Sequence, residues 1–138
     1  MAERGDALCL CGSGQAWVSC CDAILSGRRE AATAEALMRS RYTAFLMKDV
    51  SHLLNSWHPD NRPEQLQLDS RQRWLGLKIV RTERGTATDD EGVVEFVARY
   101  KIDGRGYRLH EISRFRKTEQ GWQYLDGARG ASDSTIRN

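Results

Sequence analysis

No sign of charge dominates this chain, no long apolar run interrupts it, and histidine and proline are scarce: 21 basic and 19 acidic side chains leave a net charge of +2, with three histidines and two prolines in 138 residues. So even a balance gives no field that would argue by itself for nucleic acid or an anionic membrane. No stretch approaches the roughly 18 apolar residues of a membrane span, which excludes an embedded protein. The chain starts Met-Ala-Glu-Arg-Gly-Asp without an apolar leader core, so the expected location is the cytoplasm. No H-E-x-x-H, phosphate loop, nucleophile elbow or helically spaced carboxylate pair is present to name a reaction. Cysteine is absent everywhere except between residues 9 and 21.

That stretch holds all four: Cys9, Cys11, Cys20 and Cys21, in the spacing C-x-C-x8-C-C. Four thiolates in two close pairs can close around one tetrahedral zinc ion, with Gly12 and Gly14 supplying the sharp turn between them. Amide N–H groups in such a turn can point at the sulfurs and lower their basicity. A disulfide, redox or cluster role is the competing reading, weakened because adjacent Cys20 and Cys21 pair poorly with each other and a cytosolic chain rarely keeps disulfides. Zinc bound by four thiolates has no open position for water, so its role is structural.

The run Cys9-Leu10-Cys11-Gly12-Ser13-Gly14 followed by Cys20-Cys21 resembles the SEC-C motif, the zinc-binding tail best known at the C-terminus of the SecA translocase. The resemblance puts the ligand positions on Cys9, Cys11, Cys20 and Cys21. The chain departs from that motif at Leu10, where proline is usual, and in carrying no lysine or arginine between Gln15 and Ser19. Further along, Ala34 to Phe45, Trp57-His58-Pro59, Trp74 to Leu77, Val94 to Tyr100 and Leu109 to Phe115 resemble the bacterial YchJ family. Over nearly the whole chain, that resemblance implies an N-terminal SEC-C motif joined to a cone-shaped, nuclear-transport-factor-2-like α+β domain.

The residues give an α+β order independently. Thr33 is a good N-cap, and Leu37, Met38, Arg41, Tyr42 and Phe45 form an amphipathic stripe to about Met47. A short second helix is expected over Val50 to Trp57, with His52 facing solvent. Pro59 and Pro63 then keep the chain irregular through Gln67, a rim for any cavity. From Trp74 the period becomes two, and turn signals at Asp89–Gly92, Asp103–Gly106 and Glu119–Gly121 separate four extended runs, an antiparallel meander with one buried face. The expected organisation is residues 1–22 as zinc knuckle, 23–32 as linker, 33–127 as the α+β domain and 128–138 as a flexible tail.

Two charges break the apolar pattern. Arg41 sits in the helix stripe, and Glu111 shares its strand face with Tyr107, Leu109, Ser113 and Phe115. Buried charges need partners, so Arg41 and Glu111 are expected to approach each other between helix and sheet. They form either a structural ion pair or a polar pocket with Ser113 and with Trp57, His58 or Asp126. His110 falls on the outer face, and structural roles are favoured for every histidine. Trp57, Trp74 and Trp122 read as core, whereas Trp17, in a loop too small to own a core, packs on the main domain or faces a partner. The preferred function is a zinc-binding module that contacts a protein partner through the knuckle around Trp17. The alternatives are a small-molecule binding protein or enzyme using the cavity, and nucleic-acid or ribosome-associated binding through the basic sheet.

Overall fold

In the computed structural model, residues 7–131 and 133 are described. Helix α1 (Cys21–Leu25) follows a single 3-10 turn at Trp17–Ser19; α2 (Ala34–Met47) and α3 (Val50–Asn55) come next. Four strands complete the order: β1 (Gln72–Arg84), β2 (Glu91–Ile102), β3 (Arg105–Thr118) and β4 (Gly121–Arg129). They pair in sequence order as one antiparallel sheet, β1-β2-β3-β4, the meander expected from the turn signals. Few helices on a four-stranded antiparallel sheet make the α+β fold the sequence implied.

Local chemistry explains the elements. The Thr33 hydroxyl accepts from the Ala36 N–H at 3.0 Å and caps α2. Lys48, in the left-handed region at φ 59°, ends that helix, and Asp49 caps α3 by accepting from the His52 N–H at 3.1 Å. On β2, Val94, Phe96, Ala98 and Tyr100 are buried while the intervening residues are more open, the period of two made physical. Register shifts in β1 between Trp74 and Gly76 and between Ile79 and Arg81 leave Leu75 and Val80 out of the ladder and exposed. Such irregularities bend a strand and help curve the sheet around α2.

Two boundaries differ from expectation. α3 stops at Asn55, after which Trp57 makes a parallel bridge to Tyr124 of β4. β4 runs to Arg129, and the Gly130 N–H donates to the His110 carbonyl at 2.7 Å, so residues 128–130 belong to the sheet. Of the expected flexible tail, residues 132 and 134–138 lie outside the described residues, as do residues 1–6 of the knuckle segment.

The supposed linker is also structured. Ala23 of α1 is buried, Arg28 and Arg29 donate to the Val18 and Ser19 carbonyls at 2.7 and 2.9 Å, and the Trp122 indole donates to the Ala32 carbonyl at 3.3 Å. Cys9, Cys11 and Cys21 belong to the same buried cluster as Leu37, Met38, Tyr42, Phe96 and Phe115. A segment with no apolar period thus serves as a clamp, because main-chain carbonyls of the knuckle take its two arginines.

Candidate metal centre and cavity

The knuckle is built from a small loop. The Cys9 N–H donates to the Gln15 carbonyl at 2.8 Å, the Trp17 N–H to the Ala7 carbonyl at 2.7 Å, and Leu8 bridges Ala16. Gly12 and Gly14, at φ 81° and 82°, turn the chain in the left-handed region as the spacing required. The four cysteine sulfurs lie within 4.8 Å of one another, and Cys11 and Cys20 are 3.7 Å apart. A tetrahedral ion bound at roughly 2.3 Å puts neighbouring sulfurs about 3.8 Å apart. The donor set therefore fits a four-coordinate metal. The cysteines form no disulfide.

Helix α2 supplies much of the surroundings of the sulfurs. Thr43 donates to Cys21 Sγ at 3.3 Å, and Arg39 Nη1 lies 2.8 Å from the Cys11 carbonyl and 3.9 Å from its sulfur, while Arg39 Nε pairs with Glu35 at 2.9 Å. Ser13 Oγ is 3.2 Å from Cys20 Sγ. Hydrogen bonding from Cys21, with Ser13 and Cys9 assisting, lowers the Cys11 thiol to about 4 against the opposing effect of burial. Cys21 is pushed upward by donating to Cys11 and by burial, and Cys20 upward chiefly by burial. Arg39 and Thr43 escaped the sequence reading; their one signal was a polar i,i+4 pair beside the apolar stripe of α2.

Trp17 is half-buried and packed against the core, whereas Leu8, Leu10 and Val18 are the exposed apolar residues of the knuckle, at 67, 59 and 41% exposure.

Between α2, the end of α3 and the concave sheet face lies a cavity of about 360 Å³. Aromatic and aliphatic side chains wall it, among them Tyr42, Phe45, Trp74 and Tyr100, and Leu66 from the loop after Pro63 closes part of its rim. Arg41, Glu111 and Trp57 line it. Among the described residues Arg41 and Glu111 make no direct ion pair. Arg41 Nη1 instead donates to the Leu53 carbonyl at 2.8 Å and Ser56 Oγ at 2.6 Å, because the last carbonyls of α3 lack helical partners. Its guanidinium carbon stands 4.6 Å from the Tyr124 ring centre and 5.3 Å from that of Trp57. Burial lowers Arg41 to about 10, so it stays charged at neutral pH.

Tyr124 stands between the two charges. Its hydroxyl donates to Glu111 Oε2 at 2.9 Å, and Ser113, fully buried beneath the cavity and not a lining residue, donates to the same oxygen at 2.7 Å. Burial and the neighbouring Glu111 push the Tyr124 phenol upward, so it remains a donor. Gly127 faces Ser113 across the β3–β4 ladder, and a Cβ there would run into the Glu111 carboxylate. Tyr124 gave no sequence signal, since a tyrosine in a strand reads as core.

Other expectations are corrected. His58 stays out of the cavity: the Trp57–Tyr124 bridge turns Trp57 inward, and the His58 N–H donates to the Tyr124 carbonyl while its Nδ1 accepts from the Asp60 N–H. Asp126 points to the other face and pairs with Arg114 at 2.6 Å. His52 is partly buried, with Nε2 2.9 Å from Ser40 Oγ, because α3 lays that side chain on α2. His110 lies on the outer face as expected and meets Glu95 at 2.7 Å. Arg81 on β1 pairs with Glu83 and Glu95, and Arg71 just before β1 pairs with Asp69 and Asp103, so these two cations are balanced in place.

A family model described as YchJ, middle NTF2-like domain, matches residues 33–127. The chain belongs to the YchJ-like family. A UPF0225 protein of Streptomyces coelicolor is 47% identical over 119 residues, covering 86% of this chain and 93% of the relative. Another UPF0225 protein, of Chromobacterium violaceum, is 46% identical over 129 residues, 91% and 95% of the two chains. The solution structure of a SEC-C motif containing protein from Rhodopseudomonas palustris superposes with a TM-score of 0.77 at 32% identity, covering 88% of this chain and 98% of that one. A SEC-C motif containing protein from Psychrobacter arcticus shares the fold at a TM-score of 0.71 and 22% identity, covering 98% and 87%. Among the described residues, no helix is long and apolar enough to cross a membrane.

Proposed function

We propose that this protein is a zinc-stapled small-molecule-binding protein. Four soft thiolates at tetrahedral spacing suit one zinc ion, which would hold the knuckle on α2 and supply no chemistry of its own. The cavity of the α+β domain is the binding site. One observation carries this reading: Arg41, only 3% exposed, keeps its charge on the wall of a largely apolar cavity with no carboxylate among the described residues in ion-pair contact. A buried charge is costly to hold, and a binding site is where such a cost is offset by a ligand.

Elemental analysis should find one zinc per chain. An NMR screen of small aromatic fragments against the zinc-loaded protein should move resonances of Trp57, Phe96 and Tyr124 together. Hits scattered over the surface, with the cavity silent, would sink the reading.

A second reading is docking of a protein partner through the knuckle, supported by the exposed Leu8, Leu10 and Val18. Changing all three to serine should abolish partner capture without altering zinc content; retained capture by the triple variant would discard it.

A further inference from the structure

We infer that the cavity ligand is an aromatic or similarly flat apolar monocarboxylate, seated with its carboxylate between the Arg41 guanidinium and the Trp57 indole N–H. This rests on the reading of the cavity as a ligand site and names what fills it.

The first observation is an orphan donor. Trp57 Nε1 is buried and, among the described residues, has no hydrogen-bond acceptor. Buried indole N–H groups normally find one, and the exceptions call for an explanation. Trp57 lines the cavity, and its ring centre lies 5.3 Å from the Arg41 guanidinium carbon. A neutral donor that lacks an acceptor and a fixed positive charge thus share one wall of the cavity. Among the described residues, both hydrogen bonds of Arg41 leave from Nη1. A guanidinium has five N–H donors, so capacity remains for a carboxylate.

The second observation sets the ligand's charge. Glu111 lines the same cavity, with Oε2 held by the hydroxyls of Ser113 and Tyr124. Arg129, which also lines the cavity, is engaged by Asp133 at 3.1 Å, so a second negative charge on the ligand would meet the Glu111 carboxylate, and a monoanion fits where a dianion such as a phosphate monoester does not. The third sets the body of the ligand. Tyr42, Phe45, Trp74 and Tyr100 form the walls, and the Trp74 ring centre lies 5.0 Å from that of Tyr100 and 5.7 Å from that of Phe45. Such surfaces favour a flat apolar group by offset or edge contacts.

The test titrates the zinc-loaded full chain at neutral pH with 3-phenylpropionate, its primary amide and 3-phenylpropylamine, following 15N-resolved NMR. The acid should bind and shift the Trp57 indole resonance, the amide should bind at least ~10-fold more weakly, and the amine should not bind, since a charge-assisted hydrogen bond is worth about 1.5–3 kcal/mol and each 1.4 kcal/mol is tenfold. Trp57→Phe keeps the ring and the packing, and should weaken the acid by roughly 5- to 10-fold while leaving the amide unchanged. Arg41→Lys should weaken the acid further; the tryptophan variant carries the test if the lysine variant does not fold. Equal binding of acid and amide, or of acid to wild type and Trp57→Phe, overturns the carboxylate assignment and leaves a cavity that binds something else. Silence of all three probes at cavity resonances removes the ligand-binding reading along with it.

Discussion

The knuckle and the cavity are organised in opposite ways. The cysteine cluster, which could hold a metal ion, takes its four sulfurs from thirteen consecutive residues, so its geometry is local and is written in one stretch of chain. The cavity takes Arg41 from α2, Trp57 from the segment after α3, Glu111 from β3 and Tyr124 from β4, so it exists only once the whole domain has closed. Yet the knuckle is not an independent bead. Its cysteines lie in the main core and its sulfurs accept from α2, which means the local site depends on the global fold and stiffens it in return.

Removing the metal should break that comparison most severely. Chelation or Cys21→Ser is expected to lower the melting temperature of the whole chain by more than ~10 °C, because structural zinc contributes folding free energy outright and these sulfurs are core atoms. Resonances of Leu37, Met38 and Thr43 should broaden with those of the loop. If disorder stayed within residues 7–25 while α2 remained intact, the two regions would be separate units and the shared core would carry no coupling.

Next comes Arg41→Ala. It strands the Leu53 carbonyl and empties space between α2, Trp57 and Tyr124, at a cost of about 3 kcal/mol in urea unfolding. Zinc content should not change, which separates the cavity from the knuckle. An unchanged urea midpoint would mean that the guanidinium does not brace α3. Gly127→Ala should cost less, roughly 1–3 kcal/mol, by driving a methyl group into the space of Glu111. Its readout is specific: the Tyr124 hydroxyl loses its carboxylate acceptor, visible as a lowered phenol pKa in ultraviolet titration. A Tyr124 titration equal to wild type would show that Glu111 holds its place by other means.

What could be read from the chain follows the same division. Cysteine spacing and the glycine turn made the clustering of the four sulfurs legible, because they act over a dozen residues. Strand period put Glu111 on the inner face, and the helix stripe put Arg41 toward it, since both are properties of single elements. Their partners were not legible. Arg41 reaches the Leu53 carbonyl only because Lys48 adopts a left-handed conformation and Asp49 restarts the helix, and main-chain carbonyls have no letter in a sequence. Nor was the choice between Trp57 and His58: the bridge between Trp57 and Tyr124 decides which of two adjacent side chains faces in, and it pairs residues 67 positions apart. The arginines of the presumed linker likewise bind carbonyls, so a segment without apolar period looked unattached.

His52 offers the smallest effect and the finest test of how tightly α2 and α3 are joined. Six residues are too few for a helical period to show which face is buried, so the expected solvent-facing histidine lies instead against Ser40 of α2. Burial, followed by the Arg41 charge and opposed by Asp49, holds its imidazole below the usual histidine value. The unfolded chain titrates near 6.5. Between the folded and unfolded values the unfolded state binds the proton and the native state does not, so stability rises with pH there and is lost as pH falls through about 6.5. Wild type should therefore lose more stability than His52→Gln between pH 7 and pH 5.5, in thermal melts with zinc content checked at each pH. Protonation of the cysteine cluster acts on both proteins alike and cancels in the difference. Parallel pH profiles would mean that the imidazole is open to water in the native state and that α3 rides on α2 without sealing it, in which case the Arg41 brace, not the helix contact, would be what closes that end of the cavity.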